Sequence, residues 1–158
     1  SNPYDKNIVL LDDEEAKPKW KRNETGWWYE YPNGAYPKEE WEKIDGIWYY
    51  FNERGYSIAS RWLKDDGKWY YLKENGAMAV GWVLVNGKWY YLDASGAMVT
   101  GWVQYKDKLY HLKEENGAMS SEELVKVEGG WYYVNEDGSR SDKPALDVLP
   151  DGLIVTTK

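Results

Sequence analysis

This chain of 158 residues has no cysteine, one histidine and one phenylalanine. Without thiols it can form no disulfide, no thiolate metal site and no cysteine nucleophile. Its single histidine, His111, cannot make a paired-histidine metal site and has no nucleophile partner in a recognisable pattern. No run of 18 apolar residues occurs, so no membrane-spanning helix is expected. Four arginines (Arg22, Arg54, Arg61, Arg140) in a chain of net charge −7 make nucleic acid a poor partner. Leucine, isoleucine and valine are too sparse for an ordinary large core. The clusters Glu39-Glu40-Glu42, Asp65-Asp66 and Glu122-Glu123 read as solvated loop charge. Nothing sets two carboxylates across a cleft, as glycoside hydrolysis requires, so the chain itself is not expected to be an enzyme.

What the chain has instead is 11 tryptophans and 15 tyrosines on a fixed beat. Leading tryptophans stand at Trp20, Trp41, Trp62, Trp82 and Trp102, spaced by 21, 21, 20 and 20 residues. A second follows seven positions after each of the first four, at Trp27, Trp48, Trp69 and Trp89. A period of this size marks a repeat in which each unit is one supersecondary element. The clearest unit runs Gly81-Trp82, Gly87-Lys88-Trp89-Tyr90-Tyr91-Leu92, Asp93-Ala94-Ser95-Gly96-Ala97-Met98. Later copies decay: the fifth has Leu109-Tyr110-His111, and the sixth keeps Gly130-Trp131-Tyr132-Tyr133.

Each unit reads as a β-hairpin, with Trp89 to Leu92 as a strand, Asp93 to Gly96 as the turn and Ala97-Met98-Val99 as a short return strand. Alternation points Trp89 and Tyr91 one way, Tyr90 and Leu92 the other. A lone hairpin is marginal in water, so the units must stack. The expected fold is therefore an all-β solenoid of stacked hairpins. Residues 1–18, acidic around Asp12 to Glu15 and ending at Pro18, read as a linker to a further domain; residues 19–140 hold six repeats; residues 141–158 read as a C-terminal hairpin. Ser1 in place of an initiator methionine fits a processed C-terminal module. The terminal apolar residues Leu146, Val148, Leu153, Ile154 and Val155 read as a strand that no repeat covers, an edge suited to pairing with a second copy.

The unit of Gly-Trp, Gly-Lys-Trp-Tyr-Tyr-Leu and Gly-Ala-Met resembles the choline-binding repeats of streptococcal and phage cell-wall lytic enzymes and surface proteins. The opening Trp20 with Gly26-Trp27-Trp28-Tyr29, the stretch Asn33 to Lys38, and the closing Lys143-Pro144 with Pro150 to Ile154 extend the likeness to the C-terminal module of the pneumococcal autolysin amidase and related phage amidases. The resemblance covers about residues 19 to 158. It implies a hairpin solenoid that binds choline on teichoic and lipoteichoic acid at the cell wall, holding a lytic domain, an amidase, at its substrate and dimerising through the last hairpin. No cofactor is implied; choline is the ligand.

Choline suits such a surface because its quaternary ammonium has no hydrogen to donate and must be held by aromatic faces, each worth about 0.5–1 kcal/mol when exposed and about 2 kcal/mol when desolvated. The family pattern implies sites made by both tryptophans of one unit and the second tyrosine of the next, backed by a methionine. Here these are Trp41, Trp48 and Tyr71 with Met78, and Trp62, Trp69 and Tyr91 with Met98. Trp20 and Trp27 meet Tyr50, with Ser57 near the methionine position, and Trp82 and Trp89 meet His111 with Met119. The set Trp102, Leu109 and Tyr133 has lost a wall and is not expected to work. Tyr49, Tyr70, Tyr90 and Tyr132 are expected in the core, the three methionines are as readily packing as contact, and His111, as a wall, is expected to weaken its site when protonated. Related aromatic repeats bind glucans, the alternative function. Sugar sites need hydrogen-bonding side chains beside the ring platform, which these Trp, Trp, Tyr, Met sets lack.

Overall fold

The computed structural model describes residues 16–127 and 130–156, with the backbone alone at strand positions 127, 142–148, 154 and 156. The expected linker thus lies outside the described residues except at 16–18. Among the described residues there is no helix. Strands β1 (Lys19–Arg22) and β2 (Trp27–Glu30), β3 (Glu40–Ile44) and β4 (Ile47–Phe51), β5 (Arg61–Asp65) and β6 (Lys68–Leu72), β7 (Gly81–Val85) and β8 (Lys88–Leu92), and β9 (Gly101–Tyr105) and β10 (Lys108–Leu112) form two-stranded sheets in chain order. Strands β11 (Glu123–Val127), β12 (Gly130–Val134), β13 (Arg140–Val148) and β14 (Ile154–Thr156) make one four-stranded sheet. The all-β class of repeated hairpins is as expected. The chain forms two compact units, the first running to Leu63 and taking in Tyr71–Met78, the second made of Lys64–Tyr70 and everything from Ala79 on.

The hairpin turns explain why the sequence folds at these points. Asp45-Gly46, Asp66-Gly67, Asn86-Gly87 and Lys106-Asp107 all have positive φ at both residues. This is the type I′ geometry that matches strand twist and favours Asn or Asp before Gly. The hairpin partner of β8 is therefore the preceding β7, not the segment after it. The expected turn Asp93 to Gly96 is instead the connection to the next repeat. It is closed by the Asp93 N–H donating to Ala97 O (2.8 Å) and by the Asp93 carboxylate accepting from the backbone N–H groups of Ser95 (2.8 Å) and Ala97 (3.1 Å). The expected return strand 97–99 shrinks to a single bridge between Leu92 and Met98.

That connection ties consecutive hairpins together. The residue two positions past its glycine donates its N–H to the carbonyl of the second tryptophan of the preceding hairpin. In the first unit these bonds are Ser57 to Trp27 (2.7 Å) and Met78 to Trp48 (2.8 Å); in the second they are Met98 to Trp69 and Met119 to Trp89 (both 2.8 Å). Gly117 and Gly138, at φ of +78° and +87°, leave room for the side chains of Met98 and Met119, which a Cβ would strike. The last residue of each second strand from β4 onward, Phe51, Leu72, Leu92, Leu112 and Val134, has no exposed surface. Each such burial stabilises by about 1.5–3 kcal/mol.

At the C-terminus β13 pairs with β12 through Val134 and Arg140, Tyr132 and Pro144, and Trp131 and Leu146. It pairs with β14 on its other side. The strand carrying Leu146 and Val148 is thus flanked by both neighbours, and the three-residue β14 forms the edge of the sheet on the side of the tail, because the sixth hairpin recruits the tail as a sheet extension.

Candidate functional site

Strand alternation puts Trp20 and Arg22 of β1 on the same face as Trp27 and Tyr29 of β2, since Trp20 pairs with Tyr29 and Arg22 with Trp27. The two indoles stand 6.5 Å apart with planes at 85°, forming a corner. Its third wall is Tyr49 of β4, 4.9 Å from Trp20, with Phe51 stacked on the same indole at 5.8 Å. Trp20, Trp27 and Tyr49 line a cavity of about 370 Å³ together with Ser57, Ala59, Glu74, Asn75 and Gly76. A carboxylate and three ring faces is a setting for a cation.

The second unit reproduces this corner. Trp82 and Trp89 again stand 6.5 Å apart at 85°. Tyr110 of β10 lies 5.2 Å from Trp82, and Tyr105 of β9 adds a fourth ring at 6.1 Å. Tyr105 stands in β9 where β3, β5 and β7 carry Ile44, Asp65 and Val85. The rim differs as well. Arg22 lies over Trp27 at 5.4 Å, Lys43 over Trp48 at 5.9 Å and Lys64 over Trp69 at 5.8 Å. The residue paired with Trp89 is the exposed Leu84. A cation entering beside Trp89 meets one more ring and no cation at that pairing position.

Each residue expected as a third wall lies against the leading tryptophan of its own hairpin. Tyr50 lies 5.3 Å from Trp41, its own cross-strand partner. Tyr71 lies 5.0 Å from Trp62, and Tyr91 lies 5.1 Å from Trp82. His111 lies 5.0 Å from Trp102, its pairing partner. The physical reason is parity. The second tyrosine shares a face with its own tryptophans, so the ring meeting the preceding hairpin is the first tyrosine, seen at Tyr49 and Tyr110, which had been assigned to the core or left out. Met78, Met98 and Met119 do place their backbone against Trp48, Trp69 and Trp89. Tyr105 had no signal in the repeat, being a departure from it.

His111 keeps a structural role. Its Nδ1 is 2.9 Å from Oγ of the buried Ser120. Burial lowers its pKa below the ordinary histidine value, against the opposing pull of Glu114, Glu123 and Glu115. The unfolded chain therefore takes up the proton first, so stability present above about pH 6.5 is lost as pH falls through the folded-state value. The melting temperature of the parent is expected to drop more between about pH 7.5 and about pH 5.5 than that of His111→Gln. Equal drops by differential scanning calorimetry would remove His111 from this account.

The residues match known families. A choline-binding repeat model matches residues 39–81 and 79–124, and a cell wall binding repeat model matches 123–139. The chain is 62% identical over 159 residues to a lysozyme of Streptococcus phage Cp-1, covering 98% of the chain and 47% of that protein. It is 61% identical over 142 residues to a lytic amidase of Streptococcus pneumoniae phage HB-3, covering 88% of the chain and 45% of that protein. The chain spans about half the length of the curated relatives it matches. Among solved structures, a cell wall endolysin from phage Cp-1 complexed with choline aligns at 51% identity and a TM-score of 0.62, over 92% of the chain and 44% of that structure. Choline binding protein F from Streptococcus pneumoniae aligns at 37% identity and a TM-score of 0.71, over 87% of the chain and 46% of that structure. With more than half of its residues matched by the repeat model and the Trp-Trp corner built twice, this chain belongs to the choline-binding repeat family.

Proposed function

We propose that the chain is a cell-wall targeting module that holds choline, displayed on teichoic and lipoteichoic acids, in aromatic cages. The observation that carries this reading is the right-angled indole pair closed by a tyrosine, Trp20, Trp27 and Tyr49 in one unit and Trp82, Trp89 and Tyr110 in the other. Such a corner offers π faces to a methylated ammonium that cannot hydrogen-bond. The pairs Trp41 with Trp48 and Trp62 with Trp69 repeat the pattern in sequence and extend the reading to four sites. A site of millimolar affinity is worth about −4 kcal/mol, and linked sites on a polymer gain through effective concentration. The test is retention on a resin bearing tertiary or quaternary ammonium groups, with elution by free choline, beside a glucan resin. Ser57, Glu74 and Asn75 give the first cage some of the hydrogen-bonding character of a sugar platform. Retention on glucan alone would replace the choline reading with the sugar one.

In the whole protein the module anchors a peptidoglycan hydrolase at the wall surface. Both lysozymes and a lytic amidase carry related modules, so the module sets the address and the partner domain sets the bond, an amide bond in our reading. The C-terminal sheet is the homodimer contact, with Leu149 and Leu153 exposed beside the β14 edge. Light scattering is expected to give a dimer for the parent and a monomer for Leu149→Asp with Leu153→Asp; a monomeric parent at saturating choline overturns it.

A further inference from the structure

The fifth aromatic corner breaks the pattern in a way that points to its own occupant. Its leading tryptophan is Trp102, its second is replaced by Leu109, and the tyrosine in the place of Tyr110 is Tyr132. In the three preceding repeats the residue two positions past the connection glycine is methionine, at Met78, Met98 and Met119. After Gly138 that position is Arg140. The guanidinium carbon of Arg140 lies 4.3 Å from the Tyr132 ring centroid and 5.3 Å from that of Trp102. Its backbone is fixed by pairing with Val134, which has no exposed surface. A cation of the chain itself is therefore held against the two rings that correspond to the leading tryptophan and the third wall of the cage at Trp82.

We infer that Arg140 is a built-in surrogate for the ligand, so that the fifth cage is closed to a quaternary ammonium and shuts the repeat array without one. This rests on the choline reading of the other cages. Guanidinium and trimethylammonium groups are both weakly hydrated cations that favour ring faces, so one can stand in for the other. Leu109 fits the same logic, because a guanidinium already held over Trp102 and Tyr132 needs no third aromatic wall.

The test uses the full chain and nuclear magnetic resonance of indole and arginine side chains. In the parent without ligand, the Arg140 Nε–H resonance is expected upfield of that of the exposed Arg61 through the ring currents of Trp102 and Tyr132; a normal shift overturns the inference independently of choline. On titration with choline, the Trp82 and Trp89 indole signals of the parent are expected to move and that of Trp102 to stay. In Arg140→Met combined with Leu109→Trp, Trp102 is expected to titrate as well, adding one site to the calorimetric stoichiometry, with Arg140→Gln as a milder variant that opens the same cage. A Trp102 signal that titrates in the parent, or stays still in both variants while Trp82 responds, overturns it. If Trp82 responds in none of them, the choline reading itself fails and the ring-current result alone decides the role of Arg140.

Discussion

Trp82→Ala is expected to abolish choline binding at its own cage and to destabilise the fold by about 3–5 kcal/mol, roughly 10 °C in melting temperature for a chain of this length. The indole touches Trp89, Tyr91, Tyr105 and Tyr110 at centroid distances of 6.5, 5.1, 6.1 and 5.2 Å. Its buried Nε1 has no hydrogen-bond partner, so what the substitution removes is ring packing. Trp89→Ala is the contrast. That ring is 41% exposed, so the site should be lost with a smaller stability cost. Tyr105→Ala should keep the site and weaken it by about 0.5–1 kcal/mol, a few-fold in affinity. Thermal unfolding and choline titration of the three variants check this ordering. Equal melting temperatures for Trp82→Ala and Trp89→Ala would mean that the leading indole is not a structural wall.

Choline itself is expected to be the largest stabiliser of the fold. A ligand that binds only the folded state contributes about 2.7 kcal/mol per site at a concentration a hundred times its dissociation constant. The two cages built within single units together give about 5 kcal/mol, or roughly 10–20 °C in melting temperature. Scanning calorimetry across a choline series should show the rise, with the share of one cage lost in Trp82→Ala. An unchanged melting temperature at saturating choline would separate the ligand from the hairpin packing and remove the basis of the targeting reading.

The correspondence between sequence and structure runs unevenly along each repeat. The Trp-Trp beat and the repeated strands were legible because they are local: a strand needs alternation, and a repeat keeps its spacing. If Trp89 and Tyr91 look toward the following hairpin, the ring that comes back must have the opposite parity, which selects Tyr110 and not His111. The family pattern pointed to the second tyrosine and the alternation was read as placing the first in the core, whereas Tyr49 and Tyr110 lie against the leading tryptophan of the preceding hairpin.

Other features were not local and only the tertiary structure decided them. Which of two turns closes the hairpin, Asn86-Gly87 or Asp93 to Gly96, is settled by the pairing of β7 with β8, since both segments carry turn residues. The tail beyond residue 140 carries alternating apolar residues that suit an uncovered strand, but pairing with β12 satisfies its backbone groups and leaves β14 as the edge. Tyr105 and Arg140 enter cages of neighbouring repeats from positions where the repeat has other residues, so no periodic signal could mark them. The sequence by itself determined that paired indoles recur once per hairpin, because that follows from spacing and strand geometry. Which rings face which, and where the chain supplies its own cation, depend on contacts between residues 28 to 38 positions apart, as between Trp82 and Tyr110 and between Trp102 and Arg140, and only packing brings those together.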